Sequence, residues 1–520
     1  MRKHYLFCHS TIFRSLFYYL LRFTAFFLLL IILSSCSEST SKKYKFKPES
    51  LHWLQFRGPN ASGIAPGNAD PPIHFSADTN LLWKTEILPG WSSPCIVNDK
   101  IFLTGFNDID SLLYVFALDR ENGEILWHDS IIPRGFYNMH SINSYANPSI
   151  ASDGNRIFAE FMNYGLIAYD LEGNKLWEYQ HEIVPAYYGS ASSPVITDST
   201  VLIKIAALPN SRIMGLDCET GDSVWSILRA DHNVNIGSTS TLVIKDDFLI
   251  NHAKGMLWAF NLVNREVKWR LPVPGTGIST PVISGNDIIL NTFVQLGEKK
   301  TSGEKIPYEE LLNTIDKNQN GIIEQSEFPD DMLLFTRPEI VDMDEATMYF
   351  KDDLAFAYFD RDKDGSFDKS EWDGMWDMIS SHYMVEHNMM AISIEGSGER
   401  TIEDIKWKVN EDTPETPSPL IVNEHAYFIT NGGIATVIHC DSGNVVLKER
   451  LGTPGAYLSS PILAGNRIYT CAFNGTVTVI SADNYNVLAQ NKLKERIGAS
   501  PVAVDDVLYV RTDKHLFAFR

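Results

Sequence analysis

The chain has 520 residues, long for one ordinary domain but within reach of a single large β ring, and 44% of them are hydrophobic, ample for a packed core. A formal charge of −21 argues against nucleic acid or anionic lipid as a default partner, because both demand a basic surface. The same charge favours solubility and attraction for cations.

Residues 1–35 read as a processing segment. Arg2, Lys3, Arg14 and Arg22 come without a single acid, then the apolar run FTAFFLLLIIL (23–33), then small residues before Cys36. ILSSC is similar to a bacterial lipobox. That similarity implies cleavage before Cys36, a lipid on Cys36 and residence in a bacterial cell envelope, on either membrane. The alternative is an uncleaved membrane anchor, because the basic region is long. Residues 36–50 are polar and read as a flexible tether.

Residues 51–79 contain WLQFRGPNASG (53–63). Trp53, Phe56 and Arg57 among turn residues are expected to cap one face of the fold. A site loop is the alternative, but no acid or base partner stands nearby in sequence.

From residue 80 a grammar repeats. ALDRENGEILW (117–127) is an alternating strand, an Asp-x-x-x-Gly turn and a second strand carrying Trp. It returns as AYDLEGNKLW (168–177), GLDCETGDSVW (215–225) and AFNLVNREVKW (259–269), with worn copies at 438–448 and 480–490. Upstream in each unit stands a Ser-Pro-hydrophobic marker: SSPCIV (92–97), NPSIAS (147–152), SSPVIT (192–197), STPVIS (279–284), PSPLIV (417–422), SSPILA (459–464) and ASPVAV (499–504). STSTLVI (238–244) has the same place without Pro. Proline is tolerated where a strand begins, so each marker is expected to open an inner strand.

Eight markers predict eight four-stranded units, and a 40–50-residue period of such units predicts an all-β, eight-bladed propeller. The last unit stops at LFAFR (516–520) without a Trp strand, while a stray Trp strand, NLLWKTEIL (80–88), precedes the first. Pairing these two is expected to close the ring and remove exposed sheet edges. The propeller is therefore expected over 80–297 and 388–520. The Trp residues 127, 177, 225 and 269 are expected to pack between blades.

Residues 298–387 interrupt the fifth unit. DKNQNGIIEQSE (316–327) and DRDKDGSFDKSE (360–371) each fit a twelve-residue EF-hand loop, a cage of oxygen donors for a hard cation. In the first, Asp316, Asn318, Asn320, the Ile322 carbonyl and Glu327 are the expected Ca2+ ligands. In the second they are Asp360, Asp362, Asp364, the Ser366 carbonyl and Glu371. Gly321 and Gly365 permit the sharp bend, and apolar Ile323 and Phe367 are expected to meet through a short strand. Helices are expected at 308–315, 353–359 and 370–384, with Pro329 cutting the first exit helix short. The two asparagines leave the first loop less charged, and so the weaker site. Trp372, Met375, Trp376 and Met378 are candidates to meet a partner, packing within the insert being the alternative.

Cys95, Cys218, Cys440 and Cys471 fall in different units with no CxxC spacing, so they read as buried apolar groups. A Cys440–Cys471 bridge stays open. Loop aromatics ahead of inner strands offer the leading candidate ligand surface: Tyr137, His140 and Tyr145, then Tyr187 and Tyr188, then Tyr457. The alternative is plain packing over the ring.

The Asp/Gly/Trp repeats resemble those of the pyrroloquinoline quinone (PQQ) repeat propellers over nearly the whole mature chain. WLQFRGPNASG, ISIEGSGERTIEDIKWKV (392–409) and the final ASPVAVDDVLYVRTDKHLFAF resemble secreted bacterial PQQ-binding-like propeller proteins. That group holds quinone-dependent alcohol dehydrogenases and also a lipoprotein scaffold of outer-membrane β-barrel assembly. The resemblance thus implies a propeller but leaves function open. The favoured reading is a non-catalytic envelope scaffold whose partner is a protein or a glycan, with no nucleic acid. A PQQ-dependent dehydrogenase is the first alternative: it resembles this ring, but the chain has no adjacent Cys-Cys pair and no CxxCH, so PQQ is admitted as a cofactor but not expected. A polysaccharide hydrolase or lyase is the second, and it requires two facing carboxylates that the sequence does not single out.

Overall fold

The computed structural model describes residues 52–520, apart from 68, 138, 141, 184–185, 187–188, 206–210, 229–238, 276, 293–304, 337–346 and 384–387. Residues 1–51, with Cys36, lie outside the described residues.

Eight blades of four antiparallel strands follow one another around a ring, and the fourth gains a short parallel edge strand, Gly398–Glu399. Blade 1 sets the pattern: Cys95–Val97, Lys100–Asn107, Leu112–Asp119 and Ile125–Ile131, paired in that order from hub to rim. Inner strands of blades 2 to 8 start at Ala151, Val195, Val243, Val282, Leu420, Ile462 and Val502. Blade 8 takes its outer strand from the other end of the chain. Leu81–Glu86 pairs antiparallel with His515–Phe519, so the ring closes as expected.

The markers turn out to be hydroxyl markers rather than proline markers. The residue two places before each inner strand is Ser93, Ser149, Ser193, Thr241, Thr280, Ser418, Ser460 or Ser500. The backbone N–H of each donates to the hydroxyl of the next, at 2.8–3.1 Å, and Ser500 donates back to Ser93. The cycle has eight bonds and no free end. Proline follows the hydroxyl in six blades, while Ile150 and Leu242 stand there in the other two. Pro148 precedes Ser149, so the NPSIAS marker is out of register with the rest.

At the rim the Asp-x-x-x-Gly turn has a second partner. Asp119 caps its own turn by accepting from Glu121 and Asn122 N–H, and Gly123 N–H returns to the Asp119 carbonyl. Gly123 sits at φ +76°, and a Cβ there would meet the Trp83 ring at 2.5 Å. Gly173 has the same relation to Trp127, Gly221 to Trp177 and Gly443 to Trp407. Each of these indoles also donates to a carbonyl of that neighbouring turn, as Trp127 does to Leu171 at 3.1 Å. The glycine is thus required twice, for its backbone angle and for a surface flat enough to take an indole.

The worn copies keep this contact by exchanging both partners. Blade 6 has Leu447 where Trp is expected, and the facing turn of blade 7 has Tyr485, at φ +61°, where Gly is expected. Tyr485 is buried in the cluster on which Leu447 packs. Arg265 likewise replaces a turn glycine and lies over the Trp225 ring at 5.4 Å.

The segment before the ring is a cap, as expected. Trp53 is fully buried and exchanges two backbone bonds with Ile96 of blade 1. Leu54 accepts from Ser152 of blade 2, and Arg57 reaches the Pro419 carbonyl of blade 6 at 2.6 Å. Gly63 and Ala65 then bond Leu463 of blade 7. Blades 2 and 6 stand opposite in a ring of eight, so the segment crosses the channel from wall to wall.

Exchange of the worn pair is a quantitative test. Leu447→Trp overpacks against Tyr485 and is expected to cost about 1–3 kcal/mol, and Tyr485→Gly opens a cavity costing about 3–5 kcal/mol. The double variant restores the Trp-on-Gly contact, so its loss should fall short of the sum by about 1–3 kcal/mol in chemical denaturation.

Candidate functional site

The fifth blade opens between Asp287–Thr292 and Asn388–Ser393, which pair directly across the insert. The insert folds around its own apolar core. Helices α1 (Tyr308–Ile315), α2 (Asp353–Phe359) and α3 (Lys369–Tyr383) bury Leu311, Phe328, Phe350, Phe356, Phe367 and Trp372 against one another. Trp372, Met375 and Trp376 are all core residues, so these candidates for a partner face are packed inside instead. The Met378 side chain lies outside the described residues. The first exit helix does not extend past Glu327. Pro329 ends a single turn, and the strand Leu333–Thr336 follows, paired with Thr347–Tyr349.

The two acidic loops match position by position. Gln319 and Lys363 take φ of +60° and +62°, and Gly321 and Gly365 take +87° and +83°. Asp316 accepts from Gln319 and Gly321 N–H, and Asp360 does the same from Lys363 and Gly365. Glu327 reaches back to Lys317 N–H at 2.8 Å, as Glu371 does to Arg361 at 2.7 Å. Ile323 pairs with Phe367 and Glu324 with Ser366, the short strand expected between the loops.

Their chemistry differs. In the second loop, carboxylate oxygens of Asp360, Asp362 and Asp364 all lie within 4.8 Å of one another. Three like charges at that spacing repel unless a cation stands among them. Asp360 and Glu371 are buried while Asp362 and Asp364 are exposed, so one side is fixed and one open. In the first loop, Asn318 and Asn320 both donate their amide N–H to Glu324 at 3.2 Å. The donor set there is weaker by charge, and its amides already hold the one extra carboxylate. Hard oxygen donors of this kind suit Ca2+, and the residues at both loops fit it.

The loop aromatics divide. Tyr145 donates to the Tyr137 carbonyl at 2.6 Å and lies against Phe106 and Phe136, with ring centroids 5.0 and 5.2 Å away. His140 accepts from Ile142 N–H in the same loop. Tyr457 is fully buried, donates to the Thr453 carbonyl and packs in the core of blades 6 and 7. It is a packing residue and presents no surface to a ligand. Tyr187 and Tyr188 lie outside the described residues. All four ring cysteines are free and buried, so no Cys440–Cys471 bridge forms.

Sequence reading missed a set of buried polar groups on second strands. Glu160, Lys204, His252 and Asn291 occupy equivalent positions in blades 2 to 5, two residues past the inner-strand pair. Lys204 donates to the Ser240 and His252 carbonyls, and His181 Nε2 lies 3.9 Å from Glu160. Burial raises the Glu160 carboxyl to about 8, the nearby Lys204 opposing it, and burial lowers His252 to about 4. Only the common register across blades could have pointed to them.

A family model described as outer membrane protein assembly factor BamB matches residues 73–298 and 392–520. No curated relative matches. Among solved structures, BamB from Moraxella catarrhalis is 10% identical, with 84% of this chain and 97% of that chain covered and a TM-score of 0.48. The computationally designed Ika8 protein is also 10% identical, covering 84% and 99%, at a TM-score of 0.51. A europium-containing methanol dehydrogenase is 12% identical, covering 89% of each chain, at 0.50. At such identities these likenesses concern the fold alone.

The Glu160 environment fixes a pH dependence. The folded carboxyl keeps its proton up to about pH 8, while an unfolded one releases it near 4.5. Its contribution to stability is therefore lost as pH rises between these values. Across that window, Glu160→Gln should make the thermal midpoint fall less steeply than in the wild-type protein.

Proposed function

Because this chain belongs to the family described as outer membrane protein assembly factor BamB, we propose that it is a non-catalytic scaffold of the bacterial cell envelope, lipid-anchored through Cys36, that presents its ring to an envelope protein or a glycan. The observation that carries this reading is the family match itself, which covers both halves of the ring and leaves out residues 299–391. The insert is thus an addition carried on the platform. In this reading it is an EF-hand pair, with Asp360, Asp362, Asp364, the Ser366 carbonyl and Glu371 holding Ca2+ more firmly than Asp316, Asn318, Asn320, the Ile322 carbonyl and Glu327. Bound Ca2+ supplies the positive charge that lets the loop carboxylates stay together. The chain's own part is to aim those oxygens inward from backbone N–H groups and to tie the loops through Ile323 and Phe367. Outside the cytoplasm such a site is filled constitutively, so calcium serves structure rather than signalling.

Limited proteolysis should show residues 305–383 protected in Ca2+ and cut in chelator, with the ring resistant in both. Asp360→Ala or Glu371→Ala should remove that protection and leave the ring's melting transition in place. Cleavage indifferent to calcium would remove the metal from this reading.

The dehydrogenase alternative is tested by titrating the protein with PQQ in excess Ca2+ and following visible absorbance. No saturable binding is expected at micromolar concentrations. Saturation would replace the scaffold with an enzyme and direct attention to alcohols and sugars as substrates.

A further inference from the structure

The hub of the ring carries an electrostatic imbalance that the scaffold role does not use. Arg57 and Arg511 are both fully buried. Arg57 donates to the Pro419 carbonyl, one residue after the hub hydroxyl of Ser418. Arg511 donates to the Ser92 carbonyl at 2.8 Å, one residue before the hub hydroxyl of Ser93, and to Thr104 at 2.7 Å. Both guanidiniums thus bond to residues adjoining the hub layer, Arg57 to one in blade 6 and Arg511 to one in blade 1, and their other acceptors are the Ala61, Ser62 and Leu88 carbonyls and the Ser92 hydroxyl. Among the described residues neither meets a carboxylate, and burial alone lowers both to about 9. Arg57 Nη1 and Arg511 Nε are buried without a partner. Buried charges of this kind are costly unless a counter-charge is present.

The hub hydroxyls give a second, independent observation. Each accepts one backbone N–H from its neighbour, and among the described residues none donates its own hydrogen to a protein acceptor. Every hub residue keeps 2–5% of its surface accessible. Eight O–H donors therefore form a closed cycle whose neighbouring residues hold two cations without a carboxylate partner. Donors without acceptors and cations without counter-charge are satisfied by the same kind of ligand. A cation would meet repulsion there, and a neutral solute would leave both charges unbalanced.

We propose that the hub of the channel binds a small inorganic anion, held by the hub hydroxyls in the field of Arg57 and Arg511. Chloride and phosphate share the required chemistry. The chain as a whole carries −21, so its outer surface offers little competing attraction for anions.

The test uses the full-length protein in detergent, exchanged into sodium gluconate, whose bulk keeps it from the hub. Chloride and phosphate are added separately at constant ionic strength while thermal unfolding is followed. At least one should raise the midpoint saturably, by about 2–4 °C at about a hundredfold excess over its Kd. Arg57→Met should abolish that rise, and Arg496→Met, at an exposed arginine, should keep it. Bromide-soaked crystals should show anomalous density at the hub, and this decides the matter if Arg57→Met fails to fold. Titrations that superimpose on gluconate, a rise that survives Arg57→Met, or bromide found on the surface as an adventitious ion only would each overturn the site.

Discussion

Eight hydrogen bonds around the hub are the constraint on which the rest of this molecule depends. An inner strand pairs on one side only, and its other edge faces the channel. What ties neighbouring blades at that edge is a serine or threonine hydroxyl accepting the N–H of the equivalent residue next door. Each bond contributes about 0.5–1.5 kcal/mol, but the cycle has no end at which loss is tolerated. Removing one hydroxyl leaves a buried N–H without an acceptor, a penalty larger than the bond's own worth. The same cycle places every blade at one height, which is why Glu160, Lys204, His252 and Asn291 fall on one level although 131 positions of chain separate the first from the last.

A second layer of contacts at the rim explains how a blade can lose its signature and keep its place. The indole of one blade lies on the turn glycine of the next, so the unit of selection is a pair split between two repeats. Leu447 with Tyr485 and Trp225 with Arg265 are two solutions of the same volume problem. A hub that fixes spacing and a rim that fixes stacking make the ring tolerant of change in either partner alone only when the other can follow.

Much of this was legible in the sequence. The blade count, the strand order and the closure by Leu81–Glu86 follow from periodicity and from the missing Trp strand, because each is written locally. The acidic loops were legible for the same reason: twelve consecutive residues hold every donor. The marker was found but misread, since Pro148 happens to stand near Ser149 and proline is the more conspicuous residue. The channel groups were hidden because their partners come from different blades, and alternation along one strand does not reveal what the neighbouring sheet presents. Tyr457 was left open between ligand and packing for a related reason. Its loop precedes an inner strand, as the other loop aromatics do, yet the side chain turns inward to Thr453. Trp372 and its neighbours were ambiguous in sequence, and the small size of the insert resolves them: a core of so few elements needs all its aromatics.

Closure of the ring by strands from its two ends also governs the order of events in folding. Leu81–Glu86 is synthesised before every other strand of the ring, and its partner His515–Phe519 after every other one. For nearly the whole of synthesis the growing chain is an open arc with a hydrophobic blade face at each end. Such arcs present ready surfaces for mispairing with other copies. The cap worsens the wait, because Trp53 can dock on blade 1 early while Arg57 and Ala65 need blades 6 and 7. The finished ring is therefore a fold that cannot be locked before its eighth blade has been made, and one whose maturation depends on holding the arc apart from its neighbours until His515–Phe519 arrives.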